Sequence, residues 1–178
     1  MNSNYLADNI PEIALSWASQ GDSVVIATVI ETWGSAPRRV GAQMVINQNG
    51  KMQGSVSGGC IESAVVSEVQ DTISTQGIKL LEYGVSNEDA FSVGLACGGK
   101  IRVMLEPVGH SISISTLQKL VEFRRNKISV ACVVHISSGA TELKTEGYDN
   151  RFSSGLSGLE EENKVFVNIH QSPTRVVI

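Results

Sequence analysis

Apolar residues recur at helical spacing at Ile10, Ile13, Ala14, Trp17 and Ala18, so the chain opens on a predicted helix. Pro11 suits its first turn and Gly21 its stop. Residues 24–32 follow as a nearly continuous apolar, β-branched run, the pattern of a strand covered on both faces. Beyond Trp-Gly-Ser-Ala-Pro-Arg-Arg (33–39) come two short strands, 43–47 and 51–54, joined at Gln48-Asn49-Gly50, where Asn-Gly favours a hairpin. The stripe Ile61, Ala64, Val65 and Val69 predicts a second helix, closed by Gly77.

Residues 78–84 read as the next strand. A polar loop and Leu-Ala-Cys-Gly-Gly (95–99) then lead to a strand in which Ile101, Val103 and Leu105 alternate with Arg102, Met104 and Glu106, ended by Pro107. Leu117, Leu120 and Val121 mark a third helix, and Arg124, Arg125 and Lys127 are read as positive charge at the negative end of its dipole. Residues 129–136 form another buried strand, and a hairpin around Ser138-Gly139 returns through 141–145. The Ser-, Gly- and Glu-rich segment 153–164 is expected to be loosely ordered, 165–169 to be a strand, and 174–178 to begin one more. Helices and strands interleave while the hairpins forbid a purely parallel sheet. The expected fold class is therefore α/β, a mixed β-sheet with packed helices in a single domain.

The length of 178 residues, 42% of them hydrophobic, suffices for one sizeable core. A net charge of −4 without a basic stripe argues against nucleic acid as a partner. No apolar stretch reaches spanning length and the N-terminus lacks the layout of a signal peptide, so the expectation is no membrane and a cytoplasmic location. Three cysteines are an odd number and too few for a disulfide framework, which suits a reducing compartment. No C-x-x-C or H-x-x-x-H spacing suggests a structural zinc site, and His110, His135 and His170 are isolated and carry no assigned role.

Three segments can carry chemistry. Gly-Ser-Val-Ser-Gly-Gly-Cys (54–60) leads from a strand into a helix, where amides unobstructed by side chains and a helix start suit an anion. Taken alone, such a loop is better read as turn geometry. Cys60, however, is expected in the first helical turn, where a thiolate is stabilised, whereas a purely structural Cys60 would begin the core stripe. The mirrored Cys97-Gly98-Gly99 is expected to converge with it on one cleft, while Cys132 sits in an apolar strand and reads as core. The loop 33–39 adds Arg38 and Arg39, suited to bidentate contacts with phosphate or a pterin edge unless they are merely solvated.

Gly-Ser-Ala-Pro-Arg-Arg-Val-Gly, Gly-Ser-Val-Ser-Gly-Gly-Cys, Leu-Ala-Cys-Gly-Gly and Lys-Ile-Arg-Val-Met-Leu-Glu-Pro-Val, in this order and spacing, resemble the N-terminal domain of the XdhC/CoxI family, closely over residues 10–109. The resemblance implies a chaperone, not an enzyme. It would bind the molybdenum cofactor transiently, support its sulfuration with a cysteine desulfurase, and insert it into the apo-subunit of a xanthine-dehydrogenase-type molybdenum hydroxylase. The alternatives are a thiol-dependent sulfur transferase carrying a persulfide on Cys60, or a ligand-free interaction domain. By resemblance the cofactor-binding residues are Ser35, Arg38, Ser57, Gly58, Gly59, Cys60, Cys97, Gly98 and Gly99, with Cys60 and Cys97 as molybdenum contacts through the cofactor. Residues 1–172 are assigned to the family's domain and 173–178 to the start of a second, Rossmann-like domain that family members usually carry. A terminal strand left unpaired there implies a homo-oligomer.

Overall fold

In the computed structural model, which describes residues 9–84 and 99–171, the long apolar run becomes the central strand of a five-stranded sheet. That strand, β1 (Val24–Trp33), pairs on one side with β2 (Gln43–Asn47) and on the other with β5 (Lys100–Pro107). β3 (Met52–Gly54) lies outside β2, and β4 (Lys79–Gly84) outside β5. Both faces of β1 are covered, which is why Val24 to Ile30 are buried without interruption.

One face contributes Val25, Ala27 and Val29, with Met44, Ile46, Ile101, Val103 and Leu105, to a core closed by Val56, Ile61, Val65 and Val69. The last two come from α2 (Glu62–Ser67) and α3 (Val69–Thr75), which share the second predicted helix between them and meet at Glu68. The opposite face of β1 meets α1 (Ile10–Ser19) and α4 (Ile114–Arg125) through Val24 and Ile26, which pack with Ile10, Ala14, Trp17, Leu117 and Leu120. Further along that face, Ile30 and Met104 pack on Cys132, Val134 and Phe166 of a second sheet.

The second sheet orders β6 (Val130–His135), β7 (Ala140–Lys144), β8 (Gly158–Glu160) and β9 (Val165–His170) as β7-β6-β9-β8. Its outer apolar positions, Ala131, Val133, Val165 and Val167, are covered by Tyr148 and by Phe152 of α5 (Asp149–Ser154). The α/β class with helices packed on sheet stands as expected. The strands divide into two sheets, and every pairing between these named strands is antiparallel.

One local expectation is corrected. The stretch 153–164 is ordered into the end of α5 and β8, because Arg151 bonds Glu160 at 2.8 Å and the Leu156 carbonyl at 3.0 Å, while the Ser157 hydroxyl bonds Asn168 at 2.8 Å. Composition signalled looseness, but these tertiary bonds hold the segment. Arg124 and Arg125 fall in the last turn of α4, as read, and Arg124 also reaches Glu12 at 2.7 Å and His170 at 2.9 Å, joining α1, α4 and β9. The assigned start of a further domain at 173–178 lies outside the described residues.

Register gathers several loops at one end of the first sheet. β1 ends at Trp33 opposite Lys100, where β5 begins, and Lys100 also faces Gly84, where β4 ends. β3 runs toward the same end and finishes at Gly54 opposite Met44.

Candidate functional site

The turn that leaves β3 is folded around a carboxylate. Glu62 is only 6% exposed, and its Oε1 accepts from the Ser55 hydroxyl at 2.7 Å, the Ser57 amide at 3.0 Å and the Val56 amide at 3.2 Å. Its Oε2 accepts from the Ser57 hydroxyl at 2.5 Å and the Gly59 amide at 2.9 Å. Burial alone would raise its pKa. The donors of Ser57 and Ser55 prevail and hold the carboxyl down to about 2. Two further turn amides are engaged, Gly58 N–H by the Ser55 hydroxyl at 2.8 Å and Ile61 N–H by the Ser57 hydroxyl at 3.0 Å.

This arrangement changes the reading of the glycine-rich loop. Amides expected to face a ligand face Glu62, and Ser57, nominated as a ligand contact, is fully buried with its hydroxyl bonded on both sides. Gly58, Gly59 and Cys60 remain exposed. Gly58, at φ +74, and Gly59, at φ +111, adopt left-handed backbone that glycine alone takes without strain. Cys60 precedes the N-cap residue Ile61 and is not in the first turn, which begins at Glu62.

The arginine loop lies beside this turn. A β-carbon on Gly58 would stand 3.4 Å from Pro37 Cβ, and one on Gly99 would stand 2.6 Å from the Ser35 carbonyl oxygen. The loop 33–39 therefore touches both glycine-rich segments. Of the residues nominated from sequence, Ser35, Gly58 and Gly99 are thus joined, and Arg38 and Cys60 belong to the same two segments. Cys97 and Gly98 lie outside the described residues. Arg38 is half-buried, and its Nε is buried without a hydrogen-bond partner among the described residues. Arg39 is exposed. Behind them Arg102 bonds Glu31 at 2.8 Å across β5 and β1.

The two described cysteines differ as their neighbours dictate. Cys60 is exposed, while Cys132 is 6% exposed among Ile30, Met104, Val134 and Phe166, where burial, and then the nearby Glu106 charge, push its thiol up. No group of three or more His, Cys, Asp or Glu side chains gathers as a metal site among the described residues. A polar cleft of about 490 Å³ opens near the start of β4, the opposite end of the first sheet, between Gln76, His110 and Ser138. It shares no residue with the loops above.

Sequence reasoning missed Glu62. Its signal was present: an acidic side chain at the first helical position, three residues after Gly59, can reach back to amides ahead of the helix.

Fold and site together define an α/β protein with two antiparallel sheets that presents an exposed thiol and an arginine loop at one sheet end. Residues 17–84 match the model of the XdhC and CoxI family, the family whose motifs the sequence resembles. The chain is 30% identical over 116 residues to the molybdenum cofactor insertion chaperone PaoD of Escherichia coli, covering 65% of this chain and 36% of that protein. It is 33% identical over 89 residues to a probable xanthine dehydrogenase subunit of Bacillus subtilis, covering 49% of this chain and 27% of that protein. A crystal structure of a xanthine dehydrogenase from Bacillus halodurans superposes with a TM-score of 0.67 at 25% identity, covering 90% of this chain and 52% of that chain. The chain thus spans well under half of these curated relatives and about half of the solved chain. Among the described residues, no helix is long and apolar enough to cross a membrane.

Proposed function

We propose that this chain is a cytoplasmic chaperone that binds the molybdenum cofactor transiently, supports its sulfuration, and passes it to a xanthine-dehydrogenase-type molybdenum hydroxylase. The observation that carries the reading is the meeting of the turn that bears exposed Cys60 with the loop that bears Arg38 and Arg39. The donor set fits such a group. When bound, the cofactor supplies a soft molybdenum–dithiolene end suited to a thiol and an anionic phosphate end suited to guanidinium groups. Arg38 Nε, buried and without a partner among the described residues, is a donor in want of an acceptor. Cys60 and Cys97 would meet the soft end, Gly58, Gly59 and Gly98 would let it approach, and Ser35 and Arg38 would hold the phosphate, while Gly99, buried against the Ser35 and Trp33 backbone, would seat the loop. The partners in this reading are the hydroxylase apo-subunit and a cysteine desulfurase. Self-association through unpaired sheet edges completes it, and the role is to carry the cofactor, not to turn over a substrate.

Exposure of Cys60 favours a second reading, a sulfur transferase that holds a persulfide there. Co-expression with cofactor synthesis separates the two. A chaperone is purified with visible absorbance and molybdenum, and Cys60→Ser lowers both. A colourless protein that turns over a persulfide donor overturns the chaperone reading in favour of the second.

A further inference from the structure

Any anion-holding turn needs its amides free, and in this turn they are not. The amides of Val56, Ser57 and Gly59 and the hydroxyls of Ser55 and Ser57 converge on the Glu62 carboxylate, while Gly58 N–H and Ile61 N–H are engaged by those same two hydroxyls. The turn is an anion nest that carries its own anion. Its outer rim, Gly58 to Cys60, is what solvent meets, and Gly58 rests on Pro37 of the arginine loop.

We propose that Glu62 is the positioning residue of this site: its carboxylate folds residues 55–59 into the turn that holds Cys60 outward, and leaves the anionic end of a ligand to Arg38 and Arg39. The inference rests on the cofactor-site reading above for its purpose, but its geometry is tested without any cofactor. Glu62 touches no reacting atom in this scheme; it acts through the turn. A buried carboxylate with several donors cannot be removed silently, because each donor left behind seeks another acceptor. Nearby Cys60 is then the reporter. Removing the carboxylate's charge and releasing the Val56, Ser57 and Gly59 amides lets the turn solvate a thiolate instead.

The experiment uses the purified full chain, measuring alkylation of Cys60 and Cys132 across pH by mass spectrometry. It compares the native protein with Glu62→Ala and Glu62→Asp, each with and without sodium formate against sodium chloride of equal ionic strength. The expected result is that Glu62→Ala, with the turn no longer folded around its carboxylate, raises the rate of Cys60 labelling near pH 7 about tenfold. Formate returns it toward native behaviour by refilling the nest, chloride does not, and Cys132 stays protected throughout. Glu62→Asp, which keeps the charge, lies between the two. The proposal is overturned if Cys60 labelling in Glu62→Ala matches the native protein, if formate and chloride act alike, or if Cys132 opens in step with Cys60 in both variants. Failure of Cys60→Ser to change cofactor retention, with formate rescue intact, would sink the chaperone reading and leave the role of Glu62 standing.

Discussion

Gly99 rests on the backbone of Ser35: a β-carbon there would stand 2.6 Å from the Ser35 carbonyl oxygen and 2.8 Å from that of Trp33. Both obstacles are main chain, so no side chain can swing away. Gly99→Ala is expected to push the arginine loop off the start of β5 and to destabilise the fold by about 1–3 kcal/mol in urea titrations. Trypsin should then cut after Arg38 and Arg39 faster than in the native protein. Unchanged cleavage would show that the loop is not seated on Gly99.

Arg38 and Arg39 stand in the loop that the site reading assigns to an anionic end. Replacing both with alanine should weaken cofactor binding and flatten its dependence on salt, with a melting temperature nearly unchanged, because Arg39 is exposed and the buried Arg38 Nε has no hydrogen-bond partner among the described residues to lose. Titration at two ionic strengths measures this. Equal salt slopes for the variant and native protein would return both residues to solvent.

Cys60 and Cys132 should part in any thiol assay. Alkylation near neutral pH is expected to label Cys60 in the folded protein and Cys132 only after unfolding, since the first is exposed and the second is sealed between the sheets. Added cofactor should protect Cys60. Equal native labelling of the two would refute the assignment.

Glu106 makes stability depend on pH. Its side chain is buried between the sheets, and burial pushes its pKa up to about 7 from an ordinary 4.5, opposed only by a bond from Thr141 at 3.5 Å. A carboxyl raised in the folded state contributes stability that is full below 4.5 and is lost as pH climbs through 7. Glu106→Gln should remove that loss, a gain of roughly 3 kcal/mol at pH 8 relative to the native protein. His170 sets the opposite slope: burial, then Arg124, lower it to about 3, so stability falls as pH drops below its ordinary 6.5. Denaturant midpoints across pH 4 to 8 should show the His170 slope below 6.5 openly in Glu106→Gln, whereas in the native protein the Glu106 slope offsets it between 4.5 and 6.5 and leaves the midpoint nearly flat there.

Much of this was legible because periodicity reports burial directly. The run beginning at Val24 had to be covered on both faces, and Ile101, Val103 and Leu105 had to share one. The division into two sheets was not legible, since nothing in the pattern of β6 and β9 says which strand each one meets. The stretch 153–164 departs from expectation for a related reason: its order comes from bonds to Arg151 and Asn168, which flank it, and not from its own composition. At the site, the glycines and Cys60 announced a turn, and Pro37 and Arg38 a neighbour. What the turn encloses was hidden in a glutamate that looked like an ordinary first-turn acid.

The bonds from Arg124 to Glu12 and His170 bridge 112 and 46 positions of sequence. Such spans carry a large loop-closure entropy and form after nearer pairings have drawn the chain together. During synthesis, helix α1 can settle on β1 and β2 as soon as they leave the ribosome, but its tether to Arg124 waits for residue 124 and the last link waits for residue 170. The core beneath the thiol-bearing turn likewise waits for Ile101, Val103 and Leu105 of β5, so the turn and the tether of α1 are both completed by parts of the chain made long after them.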